Sequence, residues 1–354
     1  MSDNHSVPVL DSLEPITGDV LETVLRNAKK IDEVVRVASL RIADVRSSGL
    51  VGKIARIHLE YDPSSAPGPP SLIMKSPSME FEDGRQLNAV EAQFYLHRLP
   101  ELSSIGAPEV YYSGLNEKTD RSCLLLEDVG DRGFVRQIDG CSKEKATLAI
   151  RQIARLHTRW WNCDLPPHLS WIRPPGESPV GLFCKRWIQS YSGEWPEALG
   201  CFPSRLRERY DKIGSKLSSG PRTIVHGDFH SQNISFGEIE ENLTLIDFQF
   251  VQHASGMLDV ARFLATSLRV DVRRAIEADL LREYHSCLEA CGVRDYDFDR
   301  CIDDFRTALL WNLSTPLALH VLGIMTQGKK WPDKLPIMER CLAAIGDWDA
   351  MELF

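Results

Sequence analysis

The segment His226-Gly227-Asp228-Phe229-His230-Ser231-Gln232-Asn233 spaces an imidazole, a carboxylate and an amide as His-x-Asp-x-x-x-x-Asn, and a further carboxylate, Asp247, follows Asn233 by 14 residues. An apolar β-type run enters each polar stretch, ending at Val225 in the first and at Leu245-Ile246 in the second, which leaves room for one short hairpin. Phosphoryl transfer from a magnesium nucleotide wants this arrangement. Mg2+ is a hard ion that takes few protein oxygens and keeps waters and phosphate oxygens, so an Asn carbonyl and an Asp carboxylate suffice to hold it. A second Asp close by accepts the proton of an attacking hydroxyl while the phosphoryl group moves in line. On this reading Asp228 is the base, Asn233 and Asp247 hold the metal, and His226 braces the loop backbone.

Elements able to position such groups run along the whole chain. Its 354 residues suffice for two lobes with cores of their own, and 43% apolar with 26% charged residues is ordinary for a soluble globular protein. A net charge of −9 speaks against a nucleic-acid or anionic-membrane binder, which needs a basic face, and leaves a nucleotide substrate compatible. Nine scattered cysteines without a Cys-x-x-Cys pair fit free thiols in a reducing cytoplasm better than a disulfide framework. The first residues lack a charged segment followed by an apolar one, and no run approaches the roughly 18 apolar residues of a membrane span. A cytoplasmic, unanchored protein is expected.

In chain order, residues 1–15 read as a polar lead, and Thr17 caps a helix whose stripe is Val20, Leu21, Val24 and Leu25, ending near Lys30. β-patterns at 34–45 and 54–61 flank a loop carrying Gly49 and Gly52. Such a loop can lay its amides over phosphates, or be no more than a turn. Residues 71–75 form a short apolar strand ending in Lys75, and a helix over 88–99 carries Glu91 beside its apolar stripe. Strands at 109–113 and 122–126 complete an antiparallel sheet, which the chain leaves through Glu127-Asp128-Val129-Gly130. Helices follow. Ser142 caps one that runs through Trp161, with His157 on its apolar face as a hydrogen-bonded core residue. Residues 162–202 are rich in Pro and Trp; Trp171, Trp187 and Trp195 either pack a core or line a pocket for a ring-shaped or lipophilic alcohol. A helix spans about 204–217, another starts at Gly256 and carries Asp259, and those near 271–291, 297–312 and 333–346 read as scaffold.

HGDFHSQN followed by IDFQ resembles the protein-kinase-like small-molecule phosphotransferases, the aminoglycoside and choline kinases, and most closely the ecdysteroid kinase-like group, in which Phe-Gln follows the metal-binding Asp. The resemblance implies an α+β, bilobal protein-kinase-like fold. Residues 1–127 would be an N-terminal nucleotide-binding lobe built on an antiparallel sheet, and residues 128–354 a larger, mainly helical lobe for catalysis and acceptor binding. It further implies that Lys75 contacts the α and β phosphates and is held by Glu91, in the pattern Glu91-Ala92-Gln93-Phe94-Tyr95. Gly49 and Gly52 would lie over the phosphates, backbone groups near Glu127 would meet the adenine, and Asp259 would tie down the catalytic loop. ATP and Mg2+ are the implied cofactors. The acceptor would be a hydroxyl of a small organic molecule, steroid-like or otherwise lipophilic, with aminoglycoside, macrolide and choline types as alternatives and no obligate protein partner. The chain departs from the protein kinases themselves: the loop is not Gly-x-Gly-x-x-Gly, and Gln249 stands where their metal triplet has Gly. Only residues 249–257 separate Asp247 from the next helix, too few to dock a peptide. Two rivals remain. His226, Asp228 and His230 could ligate the metal of a hydrolase, and a pseudokinase would bind nucleotide without turnover, though base and metal ligands are all present.

Overall fold

The structure, a computed structural model, describes residues 16–44, 52–63, 68–77, 82–97, 106–116, 118–131, 133–237, 243–327 and 335–353. The polar lead at 1–15 and Gly49 with its loop at 45–51 lie outside the described residues. The chain divides into two compact units, one of residues 1–99 with 107–130 and one of residues 100–106 with 131–354.

In the first unit, Thr17 caps α1 (Gly18–Asn27) by accepting from the Val20 amide, and Leu21, Val24 and Leu25 are buried as their spacing predicts. The helix stops short of Lys30 because Ala28 is its C-cap and Lys29 turns to φ 58. Five strands, β1 (Val37–Asp44), β2 (Gly52–Tyr61), β3 (Ser71–Pro77), β4 (Val110–Asn116) and β5 (Arg121–Glu127), form one antiparallel sheet in the order β1-β2-β3-β5-β4. Side chains alternate along each strand. Leu72 and Met74 of β3 join Ile57 and Leu59 of β2, Leu125 of β5 and the α1 stripe in one core. That alternation sends Lys75 to the opposite face, where α2 (Glu82–His97) packs on β3, β4 and β5. α2 starts well before Asn88, with Glu82 and Asp83 in its first turn, where the helix dipole favours carboxylates.

The second unit is mainly helical. Ser142 caps α3 (Lys143–Arg159), followed by α4 (Pro179–Ser190) and α5 (Phe202–Ser218). Four short strands come next: β6 (Thr223–Val225), β7 (Ile234–Phe236), β8 (Leu243–Leu245) and β9 (Gln252–Ala254). β7 and β8 are the expected hairpin, and β6 pairs antiparallel with β9. Then follow α6 (Met257–Ser267), α7 (Val270–Ala290), α8 (Phe298–Asn312), α9 (Ser314–Gln327) and α10 (Leu335–Asp347). Every residue of α6 is buried, with α8 packed on it; α3 packs on α7 and α4 on α9. Buried Arg273 pairs with Glu277 and Asp347, and Arg274 meets Asp347 at 2.8 Å, which ties α7 to α10. α4 and α9 fall where no helix was expected. The stretch Phe298–Met325 is long and apolar enough to cross a membrane by length and composition, but 83% of its most apolar window is buried inside the protein as core. The nine cysteines are free.

His253 on β9 is buried, and desolvation together with the charge of Arg222 pushes its imidazole down to about 4. The unfolded chain, with His near 6.5, therefore takes up this proton first as the pH falls. The stability that neutral His253 contributes is complete above pH 6.5 and is lost toward pH 4. Between pH 7 and 5 the thermal midpoint of the native chain should drop further than that of His253→Asn; parallel curves would contradict this.

Candidate active site

Val225, opposite Gln252 in the β6–β9 pair, delivers the chain to His226. Gly227 turns at φ 80, and a Cβ there would lie 1.9 Å from the Phe250 carbonyl oxygen, so only glycine fits. Asp259, fully buried in the first turn of α6, accepts the His226 amide on Oδ2 at 2.7 Å and the Gly227 amide on Oδ1 at 2.8 Å. His157 of α3 meets the same Oδ2 through Nε2 at 3.1 Å, and its Nδ1 lies 2.8 Å from the Tyr284 hydroxyl of α7. Because a carboxylate only accepts, His157 donates from Nε2 and the Tyr284 hydroxyl donates to Nδ1. Burial pushes the Tyr284 phenol well above its ordinary value, which keeps it a donor. His157 is thus the hydrogen-bonded core residue that its sequence position suggests.

His226 braces backbone on both sides. Its Nδ1 accepts the Asp228 amide at 3.2 Å and its Nε2 donates to the Ile246 carbonyl at 3.0 Å. Burial pushes this imidazole below its ordinary value, so it stays neutral with both nitrogens committed. The Ile246 amide in turn donates to the Asn233 carbonyl at 3.0 Å, which joins the Asp247 segment to the loop. Asn233 donates from Nδ2 to the Asp228 carbonyl at 3.0 Å and to Asp228 Oδ2 at 3.3 Å, leaving its amide oxygen as the atom for a hard cation. Asp247 holds φ 71, in the left-handed region that few residues besides Gly, Asn and Asp adopt, and accepts from Gln249 Nε2 at 3.4 Å. An amide oxygen and a carboxylate are the donor set that suits Mg2+, and the residues present fit that ion.

Asp228 is 7% exposed. Arg262 of α6 places Nε at 3.0 Å and Nη2 at 2.7 Å from its Oδ1, and His230 Nε2 lies 3.3 Å from its Oδ2. Burial pushes this carboxyl up, but His230 and Arg262 outweigh it and hold Asp228 well below the usual carboxylate range. Arg262 was not foreseen from the sequence. The hydrolase alternative loses one of its three ligands, since both nitrogens of His226 serve backbone. A cluster of three or more His, Cys, Asp or Glu placed to hold a metal is absent among the described residues.

Within the first unit, Lys75 Nζ reaches Glu91 Oε1 at 2.8 Å and Oε2 at 2.9 Å, and Glu91 is 1% exposed. The expected pair is formed. Gly52 lies in β2 opposite Pro77 rather than at a loop tip, and a Cβ on it would come 2.8 Å from the Ser76 carbonyl oxygen. Asp128 accepts from Ser71 Oγ at 2.7 Å, Arg56 Nη2 at 3.2 Å and the Gly130 amide at 3.0 Å, so it caps the exit from β5. Burial raises its carboxyl, but Ser71 and Arg56 more than offset this. Of the three tryptophans in 162–202, all half-buried, Trp187 touches Phe183, and Trp195 sits against Tyr191 and stacks on His320 of α9.

Residues 183–294 match the ecdysteroid kinase-like family. No curated protein sequence matches the chain. Among solved structures, a candidate aminoglycoside phosphotransferase from Ralstonia eutropha JMP134 superposes with a TM-score of 0.56 at 14% identity, covering 95% of this chain and 99% of that one. An ethanolamine kinase from Plasmodium vivax does so with 0.56 at 12% identity, over 93% and 87% of the two chains. An amicoumacin kinase solved with AMP-PNP and Ca2+ gives 0.52 at 13% identity, over 94% and 97%. The chain has the protein-kinase-like fold of these small-molecule phosphotransferases, and over residues 183–294 it carries the sequence pattern of the ecdysteroid kinase-like family.

Proposed function

We propose that the chain is an ATP-dependent phosphotransferase that moves the γ-phosphate to a hydroxyl of a small organic molecule. The observation that carries the reading is the loop from His226 to Asn233, whose backbone is clamped by Asp259 while it presents an ionised carboxylate beside an amide and the Asp247 segment. Asn233 and Asp247 would hold Mg2+, which neutralises charge on the nucleotide's phosphates. Asp228 orients the acceptor hydroxyl and takes its proton as the new O–P bond forms and the bond to the ADP oxygen breaks. In the first unit Lys75, held by Glu91 at 2.8 Å, offers a fixed ammonium to the α and β phosphates. The match over residues 183–294 supports a steroid-like or other lipophilic alcohol as acceptor, ahead of aminoglycoside, macrolide or choline types.

The test is ADP release by the purified protein from Mg-ATP across a panel of steroid, choline, sugar and antibiotic alcohols. Release should rise with one class of alcohol and stop when Mg2+ is chelated. In the same assay Asp247→Ala should bind ATP at least about tenfold more weakly in Mg2+, since a metal ligand supplies several kcal/mol. A native protein that binds no Mg-ATP would sink the reading, and unchanged affinity in Asp247→Ala would remove the metal role.

A further inference from the structure

We propose that Arg262 is a positioning residue of the transfer reaction, holding one oxygen of Asp228 so that the other alone meets the acceptor hydroxyl; this rests on the phosphotransferase reading. Asp259 and Arg262 stand three apart on α6 and share a face. That face grips three consecutive residues of the loop. Asp259 takes the amides of His226 and Gly227, and Arg262 takes the carboxylate of Asp228. The helix is buried throughout, and Arg262 is itself fixed: its Nη1 reaches the Asn312 carbonyl at 3.4 Å, and Asn312 Nδ2 donates to the Leu258 and Ala308 carbonyls at 2.9 Å each.

The contacts on Asp228 are lopsided. Two of the three guanidinium nitrogens, Nε and Nη2, act on Oδ1 at 3.0 and 2.7 Å, whereas among the described residues Oδ2 meets Asn233 Nδ2 and His230 Nε2, each at 3.3 Å. The final torsion of an Asp side chain is soft and nearly two-fold, so without this bias either oxygen could face the reactant. A planar fork fixes one oxygen; a lysine ammonium supplies the same charge without the direction. Neutralising the buried carboxylate would need only charge, and this difference separates positioning from a purely structural ion pair.

Arg262→Lys and Arg262→Ala are compared with the native protein for Mg-ATP affinity by equilibrium titration, and for kcat and acceptor KM by ADP release, with water as acceptor and with the alcohol that the panel selects. Mg-ATP affinity should stay within about threefold and acceptor KM should change little. kcat should fall about 10²-fold in both variants, as expected for a misplaced reacting group. Added guanidinium should restore part of the Arg262→Ala rate and none of the Arg262→Lys rate. An Arg262→Lys protein as fast as the native one overturns the inference, because charge alone then suffices. Loss of Mg-ATP binding together with turnover in both variants overturns it in favour of a scaffold role. A native protein without Mg-ATP binding overturns the phosphotransferase reading, and this inference with it.

Discussion

Asp228→Asn should slow phosphoryl transfer by about 10³-fold, within the range for a positioned proton acceptor, while Mg-ATP binds within a few-fold of the native affinity. The amide keeps the shape of the carboxylate and an oxygen for the Arg262 fork, so the loop is not asked to house a void beside a buried guanidinium. What it loses is the capacity to take a proton. Arg262 and His230 hold the native carboxyl well below its usual range, against the effect of burial, so Asp228 is a weak base at neutral pH. A weak base cannot pull the proton off a free alcohol early. It receives the proton late, once bond formation to phosphorus has made the alcohol oxygen acidic, which suits a loose transition state in which little bond formation precedes leaving-group departure. Protonation of Asp228 itself therefore removes no activity between pH 8 and 5, and single-turnover rates over that range, paired with nucleotide titrations, check both statements. Native-rate transfer by Asp228→Asn would end its assignment as proton acceptor.

Much of this arrangement was legible because the chemistry is local in sequence. His226, Asp228 and Asn233 belong to one loop, and the His226–Ile246 and Ile246–Asn233 bonds bring in the segment before Asp247 across a short hairpin. Lys75 and Glu91 were legible for a different reason, the resemblance to a kinase pattern in which a lysine ending one strand meets a carboxylate on the following helix. Arg262 was not legible. It sits among apolar neighbours on a fully buried helix, where periodicity has no polar face against which to register an anomaly, and its partner is far away in sequence. The same absence of a polar face hid α9, which is buried from Ser314 through Ala318 and again from His320 to Gly323. α4 was lost among prolines, although Ser178 followed by Pro179 is a helix-start signal and Ser178 does cap it through the Gly181 amide. The late end assigned to α1 has a simpler cause, since nothing in Ala28-Lys29-Lys30 announces a positive φ at Lys29.

Asp259→Ala is expected to lower the unfolding free energy by about 3–5 kcal/mol, since each buried donor left without its acceptor costs about 1–3 kcal/mol. One carboxylate with no solvent exposure serves three donors: the His226 amide at 2.7 Å, the Gly227 amide at 2.8 Å and His157 Nε2 at 3.1 Å. Alanine strands all three in the interior, and the Tyr284–His157 bond loses the partner that sets its tautomer. Asp259→Asn should fall between alanine and native, because an amide oxygen in the place of Oδ2 still accepts from the His226 amide and His157 Nε2 while its NH2 faces the Gly227 amide. Urea denaturation gives the ordering, and hydrogen exchange at the His226 and Gly227 amides locates it, with protection lost there before the β6–β9 pair opens. Turnover should fall in the folded fraction as well, because Asp228 rides on the backbone that Asp259 holds. If the alanine variant kept the native midpoint and slow exchange at Gly227, the strand pair and the Gly227 turn would be enough to fix the loop, and Asp259 would be no more than a carboxylate favoured by the dipole of α6.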